Sequence, residues 1–404
     1  IEARPERHRP VAATHAAAPA EPPLPSGARR CTRCCYDSTI AGITFDAAGR
    51  CSYCTLHDQM DAQYPTGEAG RRVLEKLADE IRAEGRGKPY DAIIGVSGGC
   101  DSTYMLHLAT RELGLRVLAV HFDNTWNSTI ATENIHRALA TLDVDLETTV
   151  VDNEEYDDIY RAFLSAGLPD IEAPTDIGLA TVLYRAAEKH GIRTILEGHS
   201  FRTEGVSPLG WLYMDAAYIA DVHRRHGTRP MRTYPNLWMK DFIRWTAWRG
   251  IRKVRPLYWV DYRKSQVMPF LERELGWQWY GGHHLENRFT AFYHSYFLPR
   301  RWGIDGRSLG WSAACRTGEM DRAEALARLA EPPAFDPALV KMVRKRLGYT
   351  EAEFERLMTM EKHGWREYRT YKPTFERMRP FWWLMYRMGR VPKSFYVKFT
   401  SSSR

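Results

Sequence analysis

The sequence predicts an α/β protein organised on a doubly wound parallel sheet, with a small cysteine-rich module ahead of the sheet and a helical region after it. Three observations predict this. Short branched apolar runs alternate with helical patterns through the middle of the chain, a glycine- and serine-rich loop joins the first such run to a helix, and five of the seven cysteines fall between residues 31 and 54. The first observation is the signature of βαβ units. The second places a ligand loop where a doubly wound sheet binds its ligand, and the third sets the N-terminal module apart from the sheet.

Taken in order, residues 1–29 are rich in Ala, Pro and Arg without an apolar stretch, so a disordered tail is expected there and not a signal peptide. A reducing, cytoplasmic setting follows as the expectation, and in it clustered cysteines favour a metal over disulfides. The runs "CTRC" and "CSYC" are separated by sixteen residues. That spacing is a zinc ribbon's, with Cys31, Cys34, Cys51 and Cys54 as four thiolate ligands of a structural zinc. Cys35 is left over as a packed thiol. The module is expected over residues 30–66, with "GITFDAAGRC" as a hairpin.

Residues 68–86 carry an amphipathic helical pattern. "AIIGV" (92–96) then reads as a buried parallel strand, and Met105, Leu108, Ala109 and Leu113 recur at helical spacing beyond it. Between them lies "SGGCDS" (97–102). The absent side chains of Gly98 and Gly99 let amide N–H groups converge on an anion at the helix N-terminus, a phosphate being the natural one. Further strands are expected at 115–124, 146–153 and 192–200, with helices at 131–142, 155–166 and 177–190. Aromatic and basic residues grow dense from about residue 208, and the last seventy residues read as helical.

Composition permits such a site. A chain of 404 residues that is 44% hydrophobic can bury one or two sizeable cores, and it has no apolar run near the roughly 18 residues of a membrane-spanning helix. The formal net charge of +7 suits anionic ligands, whether nucleotide, nucleic acid or membrane surface, without choosing among them.

The loop has neither the kinase-type G-x-x-x-x-G-K-[ST] pattern nor the G-x-G-x-x-G spacing. Instead "SGGCDS" resembles the pyrophosphate loop (PP-loop) of the N-type ATP pyrophosphatases, a fold of the adenine nucleotide alpha hydrolase-like type. The resemblance implies that Ser97, Gly98, Gly99 and Ser102 hold the pyrophosphate of ATP and that Asp101 supports magnesium. The bland alternative is a serine-rich helix cap without a ligand.

A wider resemblance is carried by "CTRCCYDSTIAGITFDAAGRCSYC", "YDAIIGVSGGCDSTYMLHLA" and "VHFDNTWNS". It continues through "APTDIGL", "LEGHSFRTEG", "GWQWYGGHHLENRFTAFYHSYFLPRRWGIDGR" and "RTGEMDRAEAL", covering about residues 31–330. These stretches are similar to the N-acetyl sugar amidotransferases of bacterial surface-polysaccharide (lipopolysaccharide O-antigen) biosynthesis. That family converts an acetamido group on a nucleotide-linked sugar to an acetamidino group through an adenylylated intermediate, with release of AMP and pyrophosphate. The resemblance implies a PP-loop domain over 67–260 and an acceptor-substrate region over 261–330, and the helical pattern beyond it sets apart a region over 331–404. It also implies ammonia supplied by separate glutaminase and cyclase-like subunits related to those of histidine biosynthesis. Four positions depart from the family pattern. His283 stands where a lysine is usual, Asn287 for a serine, Gly306 for a basic residue and Gly310 for a histidine.

Further candidates each have a plainer reading. His284 and Glu286 are candidates to orient the acceptor or move protons, against a surface network; "HHLE" as a second metal site lacks a third ligand nearby. Thr175 and Asp176 match the family's "TD" and are candidates to face nucleotide or magnesium, against a helix cap. Asp123, Asn124, Gly198, His199 and Glu204 follow strands, where this fold binds ligands, and Glu204 matches a family glutamate. Phe122 is a candidate to stack on adenine, against a core aromatic. A tRNA-thiolating enzyme of the same loop type needs cysteines beyond the zinc set, and Cys100 and Cys315 make no convincing pair; a nucleotide-sensing scaffold is a third class. The segment "FWWLMYRMGRVPKSFYVKF" (381–399) suits either a docked helix or a peripheral membrane contact.

Overall fold

A computed structural model describes residue 21, residues 23–281 and residues 285–401. The cysteine module runs into α1 (Ser52–Gln63), which carries Cys54; α2 (Gly67–Glu84) follows, and then the sheet begins with β1 (Ala92–Gly95) and α3 (Cys100–His107). There follow β2 (Val117–Asp123), α4 (Thr129–Leu142), β3 (Asp145–Val150), α5 (Asn153–Ser165), α6 (Ala173–Lys189), β4 (Thr194–Leu196), α7 (Ala216–His226), α8 (Met239–Ile243) and β5 (Arg252–Val254). The five strands are all parallel in the order β3-β2-β1-β4-β5. Chain order reverses at β1, so the loop after β1 opens at the topological switch point.

Side-chain alternation along the strands explains the layers. Ile93, Leu118, Val120, Phe122 and Ile195 point to one face and pack against α5 and α6 in a large core. Ala92, Ile94, Val117, Ala119 and Leu196 point to the other and pack with residues of α2, α3 and α4. β1 is fully buried on both faces, which is why it reads as a continuous apolar run. β5 left no such signal: Arg252, Lys253 and Val254 are half-buried edge residues held by pairing with β4, and the sequence alone does not announce them as a strand.

The C-terminal half is helical: α9 (Lys264–Leu275), α10 (Arg288–Phe292), α11 (Arg307–Thr317), α12 (Arg322–Ala330), α13 (Pro337–Arg346) and α14 (Glu351–Thr359), then α15 (Lys372–Arg377), α16 (Arg379–Arg387) and α17 (Lys393–Thr400). The last three dock by their aromatics. Trp382 is fully buried and stacks on Phe242, with Phe375 and Phe395 around it. The Lys372 ammonium donates to the carbonyls of Lys398, Phe399 and Ser401, satisfying the C-terminal end of α17. Trp383 and Leu384 on α16, and Met388 just after it, stay exposed. Among the described residues no helix is long and apolar enough to cross a membrane. Of the tail expected over residues 1–29, residues 1–20 and 22 lie outside the described residues.

Candidate functional site

The cysteine module closes on four sulfurs. Cys34 and Cys51 Sγ lie 3.6 Å apart, and Cys31–Cys54 and Cys51–Cys54 each 3.7 Å, with all four within 4.8 Å of one another and buried. A tetrahedron of zinc–sulfur bonds near 2.3 Å has edges of about 3.8 Å, so donor type and spacing fit the expected ion. Backbone N–H groups of Arg33 and Cys51 point at Cys31 Sγ. Arg316 of α11, itself buried, reaches the cluster from outside the module and donates to Cys54 Sγ at 3.4 Å and Cys34 Sγ at 3.2 Å. Cys35, read as spare, is buried and in side-chain contact with Cys315. α11 brings Cys315 beside the module, a neighbour that its distance in sequence does not announce.

The loop after β1 is shaped by its glycines. Gly98 has φ +78°, and a Cβ on it would lie 2.1 Å from the Ala131 carbonyl oxygen of α4. Its own carbonyl accepts from Trp277 Nε1 (3.0 Å) and Asn134 Nδ2 (3.3 Å), two anchors that sequence reading did not single out. The Ser97 and Ser102 hydroxyls meet at 3.4 Å, and Ser97 Oγ accepts from the Gly99 N–H at 3.3 Å. Serine oxygens and loop amides thus converge at the start of α3, the arrangement an anion site requires. Gly198, after β4, lies behind the loop: a Cβ there would come within 2.8 Å of the Asp101 carbonyl oxygen.

Asp101 projects from the first turn of α3 into a charged cluster. Its carboxylate accepts from the Tyr262 hydroxyl and pairs with Lys264 Nζ at 3.0 Å, and it shares a hydrogen bond with Glu204. Burial pushes the Asp101 carboxyl up, but Lys264 and these hydrogen bonds outweigh it, so it sits below the usual range. Glu204 moves well above its usual range, from burial first and then the Asp101 charge. These adjacent carboxyl oxygens are the donor type that a divalent cation takes, which would displace the proton that favours Glu204. His199 Nε2 is 3.3 Å from Glu204, and burial followed by the Arg255 charge pulls the imidazole down to about 3, so it is neutral. Tyr262 and Lys264 left no local pattern and were missed.

The remaining candidates divide. Glu286 belongs to the site: its Oε1 would lie 3.3 Å from a Cβ on Gly99, and its carbonyl accepts from Ser128 N at 2.8 Å. His283 and His284 lie outside the described residues. Asp123 accepts from Thr125 N and Asn127 Nδ2, bracing the loop after β2 at the same sheet edge. Asn124 is buried and receives Asn287 Nδ2 at 2.8 Å, while Asn287 also caps α10. Thr175 accepts from Tyr156 and meets the Tyr160 hydroxyl at 2.8 Å; Asp176 is exposed in the first turn of α6. Phe122 is buried, its ring against Gly178 and edge-on to Tyr156, so it belongs to the core and offers no face for stacking. Gly306 faces His294. Gly310 faces the Thr203 carbonyl beside Glu204, so one of the departures on α11 abuts the site's own loop.

Residues 286–382 match the family model described as "LPS biosynthesis protein WbpG-like, C-terminal domain". This segment is similar to that C-terminal domain. That WbpG-like segment starts at Glu286, over the loop, and runs through α10 to Trp382 in α16. It agrees with the surface-polysaccharide resemblance read from residues 31–330 and carries it further along the chain. None of the curated proteins matches the chain. Among solved structures it is similar to the NH3-dependent NAD synthetase of Campylobacter jejuni, at 14% identity over 73% of this chain and 98% of that one, with a TM-score of 0.31. It is also similar to the NMN synthetase of Francisella tularensis, at 15% identity over 56% and 92%, with a TM-score of 0.28.

Proposed function

We propose that this chain is an ATP-dependent, AMP-forming amidotransferase that converts the acetamido group of a nucleotide-linked sugar to an acetamidino group. The observation that carries the reading is the loop at the switch point, Ser97–Ser102, with the Asp101–Glu204 carboxyl pair and Lys264 beside it. Ser97, Ser102 and the Gly98 and Gly99 amides bind the β and γ phosphates of ATP. Asp101 and Glu204 would hold magnesium, which would supply charge neutralisation at the phosphates.

The substrate's amide oxygen attacks the α phosphorus, and the bond to the bridging oxygen breaks, releasing pyrophosphate. Ammonia then adds to the activated carbon, and AMP leaves with the former amide oxygen. The sugar nitrogen keeps its N–H, and ammonia loses one proton to solvent as AMP departs, so that an amidinium remains. The chain's own contribution is positioning and fixed charge: Lys264 faces the departing pyrophosphate, and Glu286 over Gly99 orients the acceptor. Ammonia comes from separate glutaminase and cyclase-like subunits. The module's four thiolates hold a structural zinc, and α16 with its exposed Trp383 and Leu384 provides a peripheral membrane contact.

Mass spectrometry of acetamido sugar nucleotides incubated with the protein, ATP and an ammonium salt tests the reading. Replacement of one oxygen by NH, with stoichiometric AMP and pyrophosphate, is expected. AMP formation only with a sulfur donor and transfer RNA would replace the reading with thiolation.

A further inference from the structure

A groove of about 550 Å³ lies between α10 and α13, lined by Arg288, Ala338, Lys341, Met342, Lys345 and Arg346. Four of the six are cationic and none is acidic. The α13 residues are spaced i, i+3, i+4, i+7 and i+8, so they share one helix face, with the lysines beside the exposed Ala338 and the half-buried Met342. Arg346 is committed: its guanidinium lies over Trp126 at 3.8 Å, pairs with Asp157 at 2.9 Å and donates to Thr125. Arg288, Lys341 and Lys345 form no ion pair among the described residues, although many arginines of this chain are paired to carboxylates. Three uncompensated cations therefore face one cavity.

The groove is continuous with the ligand edge of the sheet. The Arg288 N–H donates to the Trp126 carbonyl at 2.8 Å, and Asn287 bridges to Asn127 in the loop after β2. Two residues before Arg288, Glu286 leans over Gly99. The groove is open to solvent, and its volume matches the footprint of one small ligand.

We infer that this groove binds the diphosphate of the nucleotide-linked acceptor, presenting its sugar toward Glu286 and the loop. The inference rests on the proposed function for the acceptor's class, but the binding it asserts is measurable without turnover. Arg288, Lys341 and Lys345 grip the two phosphates as charge-assisted hydrogen-bond donors, and Ala338 and Met342 carry the apolar part of the ligand.

The probe is uridine 5′-diphosphate, titrated calorimetrically into the full chain, with UMP and magnesium ATP in parallel. UDP is expected to bind one per chain and more tightly than UMP. The double substitution Lys341→Ala with Lys345→Ala, and separately Arg288→Ala, should each weaken UDP at least about tenfold and leave ATP binding unchanged. All three side chains are exposed, and Lys341→Gln with Lys345→Gln gives a second, shape-preserving variant with the same expected loss. Absence of UDP binding, equal UDP affinity in the variants, or a parallel loss of ATP affinity would each overturn the inference. So would transfer RNA binding that depends on these residues when UDP does not bind. If UDP binding depends on the groove but no AMP is ever formed, the groove stands and the proposed reaction falls.

Discussion

Lys264 Nζ sits 3.0 Å from the Asp101 carboxylate, although 163 residues separate them in the chain. A carboxylate of the loop after β1 thus has a cationic partner of its own, which favours its ionised form. If that charge serves the transferring phosphates through a metal, Asp101→Asn should cut AMP formation at least about a hundredfold, since such stabilisation is worth several kcal/mol. A discontinuous AMP assay at saturating ATP measures this. Turnover within a few-fold of the parent would remove Asp101 from the mechanism.

The space behind the loop predicts a second effect. Gly198→Ala places a methyl against the Asp101 carbonyl and the Ser102 amide, at 2.8 and 3.2 Å, so the loop must shift. Displacements of that order cost up to about a hundredfold in a positioned reaction. The KM for ATP is expected to rise at least about tenfold with the fold intact by circular dichroism. Gly364→Ala, where a Cβ meets nothing within 4 Å, should change neither.

How much of this was legible depended on sequence distance. Ala92 to Ser102 and the four cysteines announce themselves because each is a local pattern: an apolar run ending in glycines, and thiols at ligand spacing. Trp277 and Asn134 on Gly98, or Lys264 and Tyr262 on Asp101, are joined only by the fold, and no window of sequence contains both partners. Phe122 shows the opposite error. An aromatic at the end of a strand looks available for stacking until α6 lays Gly178 against its ring.

Metal content follows from the sulfur geometry. The parent should carry about one zinc per chain, and Cys31→Ser and Cys54→Ser should each lose it, as elemental analysis would show. Arg316→Met keeps all four ligands but removes two N–H donors to sulfur, so stripping by a chelator should quicken about tenfold or more. Unchanged stripping would mean that Arg316 only packs against Tyr36.

Glu172 offers a prediction in pH. It is buried with one carboxyl oxygen unpartnered, and burial followed by the Asp176 charge raises it to about 8. Unfolded, it titrates near pH 4.3. Between about pH 4.3 and 8 the folded chain keeps a proton that the unfolded chain has lost, so Glu172 lowers stability increasingly as pH rises through that window. Glu172→Gln has no such loss. Its melting temperature relative to the parent should therefore climb by at least about 2 °C from pH 5.5 to 8.5. A gap independent of pH would show that Glu172 is ionised in the fold.

The nitrogen source is testable from the cysteines. Cys100 is buried in the loop and pushed up to about 12 by burial and then Asp101, so it is no thiolate nucleophile. Cys315 faces Cys35 across α11. Glutamine should then be inert with this chain alone and ammonium salts active. Glutamine-dependent amidine formation abolished by Cys315→Ala would reverse this.

Arg316 also sets a schedule for biosynthesis. Its contact with Cys34 spans 282 positions of chain. Cys54, the last of the four thiols, precedes Arg316 by 262 positions, so at roughly 5–20 residues per second a ribosome makes all four about 13–52 s before the guanidinium that completes their surroundings. During that interval the thiols depend on the module's own backbone amides, and a cell short of zinc or under oxidation would damage the nascent chain before the finished one. Slow decoding between the module and α11 lengthens that exposure, so synonymous changes there become a determinant of yield.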